Sequence, residues 1–252
     1  MVNRMLTVQQ RAELLDAATF FGVPIAGFEN AGRQQLILLL TCGLEPRSKV
    51  VDLGCGVLRG GYWLIHFLDP DGYCGIEPHD GRLAAGRSSI IEPDLEPTKR
   101  PRFDNNANFD TSVFGVKFDY FLAYSIWTHA SKPQIEKMLD HFLRDTNPGA
   151  MFLTSIFPAG WRHKDYRKSR WFGTSHESSA PGCIGHSQRW IRSECSRRGL
   201  TMRRLGRERD GQTWLQISRD KVREPAFRTI WAEPRVVRAM RRLLDLLPES
   251  WR

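Results

Sequence analysis

The chain has no C-x-x-C pair, and its five cysteines, Cys42, Cys55, Cys74, Cys183 and Cys195, are an odd number. That pattern argues against a disulfide framework and against a zinc knuckle. Long apolar runs are missing too. The longest, LILLL at 36–40, falls far short of a membrane span. The opening residues, MVNRMLTVQQ, lack the apolar stretch and cleavage site of a secretory signal, so the expectation is a cytoplasmic protein. Neither an internal repeat nor a low-complexity tract interrupts the sequence. What remains is 252 residues, 41% hydrophobic and 26% charged, enough for one large domain that needs no disulfide or metal to fold.

Charge separates the two parts of the chain. Residues 1–150 carry 15 Lys/Arg against 18 Asp/Glu, whereas residues 151–252 carry 22 against 10. A basic half can attract nucleic acid, anionic lipid or an anionic substrate. Of the 37 cations 29 are arginine, so a biased codon usage would also account for the excess. Charge alone therefore assigns no partner.

The hydrophobic pattern alternates between two periods. Helical spacing is predicted over about 7–20, with Thr7 as cap, and over about 31–42. KVVDLG (49–54) then reads as a buried parallel strand stopped by glycine. LRGGYWLIHFL (58–68) is a predicted helix, GYCGIEP (72–78) a strand, 79–91 a helix and RPRFD (100–104) a short strand. KFDYFLAYS (117–125) and GAMFLTSIF (149–157) are further strands, separated by a helix at 131–143 with Pro133 in its first turn. After an insertion at about 158–187, rich in Arg, Ser, Gly, His and Trp, a helix at 187–199 and strands near 200–205 and 212–218 follow. Strands alternating with helices predict βαβ units and a mainly parallel sheet. The expected organisation is N-terminal helices over 1–45, one domain over 46–219, and a basic helical tail over 220–252 that packs on the domain or forms a homodimer.

VVDLGCGVLRGG (50–61) joins a strand to a helix through a glycine-rich turn, which lets backbone approach a ligand at the carboxyl end of a sheet. A dinucleotide fingerprint needs a small residue three positions after the second glycine, and Arg59 stands there. Asp52 would also face a pyrophosphate, which is electrostatically unfavourable. A P-loop is ruled out by the missing G-K-[ST]. A cationic, phosphate-free ligand removes both objections. Glu77 follows Gly56 by 21 residues, the separation at which an acidic side chain reaches a ribose diol.

These elements together resemble the class I S-adenosylmethionine-dependent methyltransferases. VVDLGCG is similar to their first motif, GIEP to their second, KFDYFLAYSIWTH to the strand and turn of their fourth, and GQTWLQI to their final antiparallel strand. The resemblance implies a Rossmann-like α/β fold, a seven-stranded, mostly parallel sheet with helices on both faces. It also implies S-adenosyl-L-methionine as cofactor. Carried over by residue, Asp52, Gly54 and Gly56 would hold the methionine part, Glu77 the ribose, Asn108 or Asp110 the adenine, and Ser125 would line the sulfonium end. Arg33 would pair with the cofactor carboxylate, and Arg59 is grouped with the cofactor residues.

The acceptor is less constrained. The [N/D]-P-P-[Y/F] of base N-methylation is absent from AYSIW (123–127), as is the Pro-Cys of base C-methylation. A hydroxyl of a small molecule or a glycan is the expected acceptor. That chemistry calls for a base, most often histidine. His129, four residues beyond Ser125, is one candidate, although bracing the turn is an equal reading. His176 with Glu177, and His186, are the others, in the insertion that commonly covers the acceptor in such enzymes. A histidine beside a carboxylate can be base and orienter or two ligands of a divalent ion, and no metal set is assigned. Two alternatives stand beside this reading: an RNA methyltransferase using the basic half, and a cofactor-binding partner subunit without chemistry.

Overall fold

The computed structural model describes residues 6–18, 25–172, 182–208 and 211–219. His176, Glu177 and the predicted helical tail lie outside the described residues. Among the described residues, eight strands and seven α-helices follow in the order α1 (Val8–Ala18), α2 (Phe28–Thr41), β1 (Val50–Leu53), α3 (Gly61–Phe67), β2 (Tyr73–Ile76), α4 (Asp80–Ala85), α5 (Leu95–Lys99), β3 (Arg102–Asp104), β4 (Phe118–Ala123), α6 (Lys132–Asp145), β5 (Thr146–Pro158), β6 (Gly185–His186), α7 (Gln188–Arg197), β7 (Thr201–Arg207) and β8 (Thr213–Ser218).

Seven strands form the continuous sheet β3-β2-β1-β4-β5-β8-β7. β1 through β5 are parallel neighbours along it, while β8 runs antiparallel between β5 and β7. This is the predicted α/β architecture. It has one addition: the two-residue β6, which pairs with the far end of β5 through Phe157 and Gly185. A two-residue strand has no periodicity to read, so nothing in the insertion signalled it.

The order places the reversal between β1 and β4, where the chain leaves β1 toward β2 and β3 and returns to β4. A crevice opens there at the carboxyl ends of the strands. Side chains of β1 alternate as the pleat requires: Val51 and Leu53 join a core with Ile135, Met138 and Phe142 of α6, and Val50 joins a second core with Leu38 and Leu39 of α2 and Leu64 of α3. Helices therefore cover both faces.

Local chemistry sets the helix starts. Thr7 accepts from the Gln10 N–H while its own N–H donates to the Gln10 side chain, a reciprocal cap that fixes the first turn of α1. The predicted helix at 79–91 is divided: α4 is capped by His79 and passes into a π-helical turn over Gly86–Ile90. A Cβ on Gly86 would lie 2.7 Å from the Val57 carbonyl carbon, so glycine lets this turn rest against the glycine-rich loop. α5, inside LEPTK, had no periodic signal; five residues with a central proline are too few to show one.

Candidate functional site

At the carboxyl edge of the sheet lies a cavity of about 420 Å³, lined among others by Asp52, Gly54, Gly56, Arg59, Glu77 and Ser125. Its floor is the turn after β1. Gly54 and Gly56 both take positive φ, 72° and 57°, a region that costs an L-residue about 1–2 kcal/mol. They differ in surroundings. A Cβ on Gly54 would sit 2.0 Å from the Ile126 Cδ1, whereas one on Gly56 meets nothing within 4 Å. Gly54 is glycine because protein crowds it; Gly56 faces open cavity. The Gly54 N–H donates to the Ile76 carbonyl at 2.7 Å, which ties the turn to β2.

Glu77, at the end of β2, is buried. Its carboxylate accepts from the Gly56 N–H at 2.9 Å and from the His79 N–H at 3.0 Å. The residue that the 21-residue spacing singled out thus holds the glycine turn in place, and two of its roughly four acceptor positions stay open to a ligand diol. Asp52 sits beneath the turn, accepting from the Tyr73 hydroxyl at 2.9 Å. Burial pushes its carboxyl up to about 7; the nearby Glu77 adds to the rise, while the Tyr73 hydroxyl and Arg59 oppose it. A cation entering the cavity would favour the ionised form.

Ser125 follows β4 in a left-handed conformation, φ 60°. Three hydrogen bonds hold it there: its N–H donates to the Ser155 hydroxyl at 2.7 Å, that hydroxyl donates to the Gln212 side chain at 2.7 Å, and the Gln212 amide returns to the Ser125 hydroxyl at 3.3 Å. Ser155 of β5 and Gln212, just before β8, thereby fix one cavity residue just past β4.

The remaining assigned residues go elsewhere. Arg33 pairs with Glu29 and stacks on Trp63; Gln35, two residues on, lines the cavity instead. Asn108 is exposed. Asp110 caps the turn at Thr111–Phe114 and pairs with Arg144. Burial opposes its ionisation, but the Ser112 and Arg144 hydrogen bonds prevail and hold its carboxyl at about 2. Their neighbours Ala107 and Phe109 form the wall. The loop alternates because the Asn106 side chain bonds Asp104 and the backbone of Asp110, and that turn sends the polar side chains away from the cavity.

His129 and His186 do not line the cavity either. His129 stacks on Trp171 at 5.8 Å and 20°, its carbonyl accepts from the Phe172 N–H, and burial lowers its pKa against hydrogen bonds with the Phe172 and Gly182 backbone. His186 is fully buried with Nε2 2.9 Å from the Ala130 carbonyl, and burial lowers its pKa as well. Both pin the insertion onto the turn after β4, and among its described residues Trp171 reaches the cavity. Among the described residues no three His, Cys, Asp or Glu side chains group so as to hold a metal ion. None of the described helices is long and apolar enough to cross a membrane.

No family model matches the sequence. Solved structures do resemble it. Magnesium protoporphyrin IX methyltransferase (ChlM) from Synechocystis PCC 6803, with bound SAH, superposes with a TM-score of 0.58 at 16% identity, covering 78% of this chain and 85% of that one. The chain has the class I methyltransferase fold. The same fold relates it to the O-methyltransferase TomG from Streptomyces achromogenes, in complex with SAM (TM-score 0.53, 15% identity, 86% and 91% covered). It relates it also to the glycopeptide N-methyltransferase MtfA (TM-score 0.54, 11% identity, 75% and 90% covered).

Proposed function

We propose that the chain is an S-adenosyl-L-methionine-dependent methyltransferase acting on an oxygen of a small-molecule or glycan acceptor. The observation that carries the reading is the pairing of Glu77 with Gly56: a buried acidic side chain at the end of β2 holds a glycine turn whose second glycine opens onto the cavity. The cofactor fits these residues. Glu77 would accept from the ribose hydroxyls, Asp52 and the turn would face the cationic methionine end, and Phe109 with Ala107 would flank the adenine. When bound, the cofactor supplies a methyl group already activated on a sulfonium. The protein's share is then alignment and exclusion of water. Ser125, held by Ser155 and Gln212, sets the edge of the acceptor side, and Trp171 closes it. ChlM and TomG support a small-molecule acceptor by likeness of fold, and the missing Asn-Pro-Pro element in AYSIW favours oxygen over a base amine.

Incubation with labelled S-adenosylmethionine and panels of hydroxylated, carboxylated and amine acceptors tests this. Methyl ethers or esters are the expected products. Label appearing only on amines, or only in RNA, would overturn the choice of acceptor.

The buried Asp52 makes cofactor affinity pH-dependent. Its pKa is raised to about 7, so below that value the group is mostly protonated in the empty cavity, and a cationic ligand must displace the proton. Affinity for S-adenosylhomocysteine, whose ammonium is the cation, should therefore rise between roughly pH 6 and pH 8 and then level off. Asp52→Asn should flatten the profile. A flat profile in the unmodified protein would show that Asp52 does not face the ligand's charge.

A further inference from the structure

The first turn of α6 brings to the cavity an amide of which the protein uses only the oxygen. Gln134 lines the cavity. Its Oε1 accepts from the Ser131 N–H at 2.8 Å and from the Ser131 hydroxyl at 3.0 Å, the capping box that opens α6. A backbone N–H can only donate, so the atom facing Ser131 must be the oxygen, and the amide nitrogen is held on the other side. Among the described residues neither N–H of that nitrogen has a hydrogen-bond partner. Ser125, earlier in the same stretch of cavity wall, is a second donor. Its hydroxyl accepts from the Gln212 amide at 3.3 Å, which leaves its own proton for a ligand, with the Thr128 hydroxyl 3.4 Å away.

Charge favours a group that only accepts. Asp52, Glu77, Arg59 and Arg82 line the cavity, acids balancing cations. S-adenosylmethionine would add a sulfonium and an ammonium against one carboxylate, so the loaded site is cationic and attracts an anion. The approach has the same sign. Lys164, Lys168 and Arg170 are exposed on the segment that leads to Trp171, while the acid among them, Asp165, is engaged by Lys132 at 2.7 Å. Resting on the oxygen-methyltransferase reading above, we propose that the acceptor is a small-molecule carboxylate, bound by the Gln134 amide N–H groups with the Ser125 hydroxyl as second donor. One carboxylate oxygen attacks the methyl carbon while the donors hold the other. The carbon–sulfur bond breaks, its electron pair stays on sulfur as the thioether, and a methyl ester is formed. No proton has to be removed, which agrees with His129 and His186 bracing the insertion rather than lining the cavity.

Gln134→Glu isolates the amide nitrogen. Glutamate serves the capping box as well as glutamine does, but it replaces the two donors with a charged acceptor. The test offers carboxylic acids paired with the primary alcohols of the same skeletons, with labelled S-adenosylmethionine as methyl donor. Mild alkali then sorts the products, since it cleaves methyl esters and leaves methyl ethers. The unmodified chain should methylate the acids, and alkali should release the label. Gln134→Glu should raise KM for the acid by about tenfold or more, the scale of a charge-assisted bond. Its affinity for S-adenosylhomocysteine and its denaturation midpoint should match those of the unmodified chain. Ser125→Ala, which removes the second donor, should raise KM severalfold, and it carries the test if Gln134→Glu fails to fold. Alkali-stable label on the alcohols with the acids untouched, or an acid KM that Gln134→Glu leaves unchanged, overturns the proposal while oxygen methylation stands. Label on neither class removes the oxygen reading, and the proposal with it.

Discussion

Glu77→Ala should weaken binding of S-adenosylhomocysteine by tenfold to a few hundredfold. Two losses add. The ribose hydroxyls would lose a charged acceptor, each such bond contributing about 1.5–3 kcal/mol, where 1.4 kcal/mol is a factor of ten. The Gly56 and His79 N–H groups would also lose the carboxylate that now holds them at 2.9 and 3.0 Å, loosening the turn. Glu77→Gln separates the two effects, because its one carbonyl oxygen can still accept from backbone but carries no charge. It should fold like the unmodified protein and bind at intermediate strength. Equal affinity for all three proteins in titration calorimetry would remove Glu77 from the site.

His129→Ala should be felt first in stability, by about 2–4 kcal/mol in chemical denaturation. The imidazole is buried against Trp171 and bonds the backbone of Phe172 and Gly182, so its removal leaves a cavity and frees the insertion. His129→Phe keeps the stacking surface and discards any proton transfer. If His129 only braces the insertion, the phenylalanine variant should keep most of the turnover that alanine loses. A fall of roughly 10²–10⁴-fold in the phenylalanine variant, with cofactor affinity unchanged, would instead make His129 the base.

The parts of this fold that could be read in advance are those where chemistry and local backbone coincide. VVDL is β-branched and ends in glycine, so strand and turn announce themselves together. Glu77 stands at a spacing fixed by the geometry of one βαβ unit. Ser125 ends an apolar strand. The residues that escaped depend on side-chain direction, which no spacing encodes. Asn108 and Asp110 occupy the right loop, yet Asn106 and the cap at Thr111 turn them outward, and the wall falls to Ala107 and Phe109. Arg33 and Gln35 lie on adjoining positions of α2, and Gly60, where a Cβ would come within 2.3 Å of the Gln35 Oε1, shows which of them packs inward. Trp171 comes from an insertion without period, held by long-range bonds to residues 128–130. Arg59, by contrast, was grouped with the cofactor residues from the sequence, and it lines the cavity.

The most direct test of the central claim is calorimetric titration of the full chain with S-adenosylhomocysteine and, separately, with NAD. One site per chain for S-adenosylhomocysteine, with no heat from NAD, is the predicted result. Saturable binding of NAD, or no binding of S-adenosylhomocysteine across the pH range in which Asp52 ionises, would contradict the assignment of this cavity.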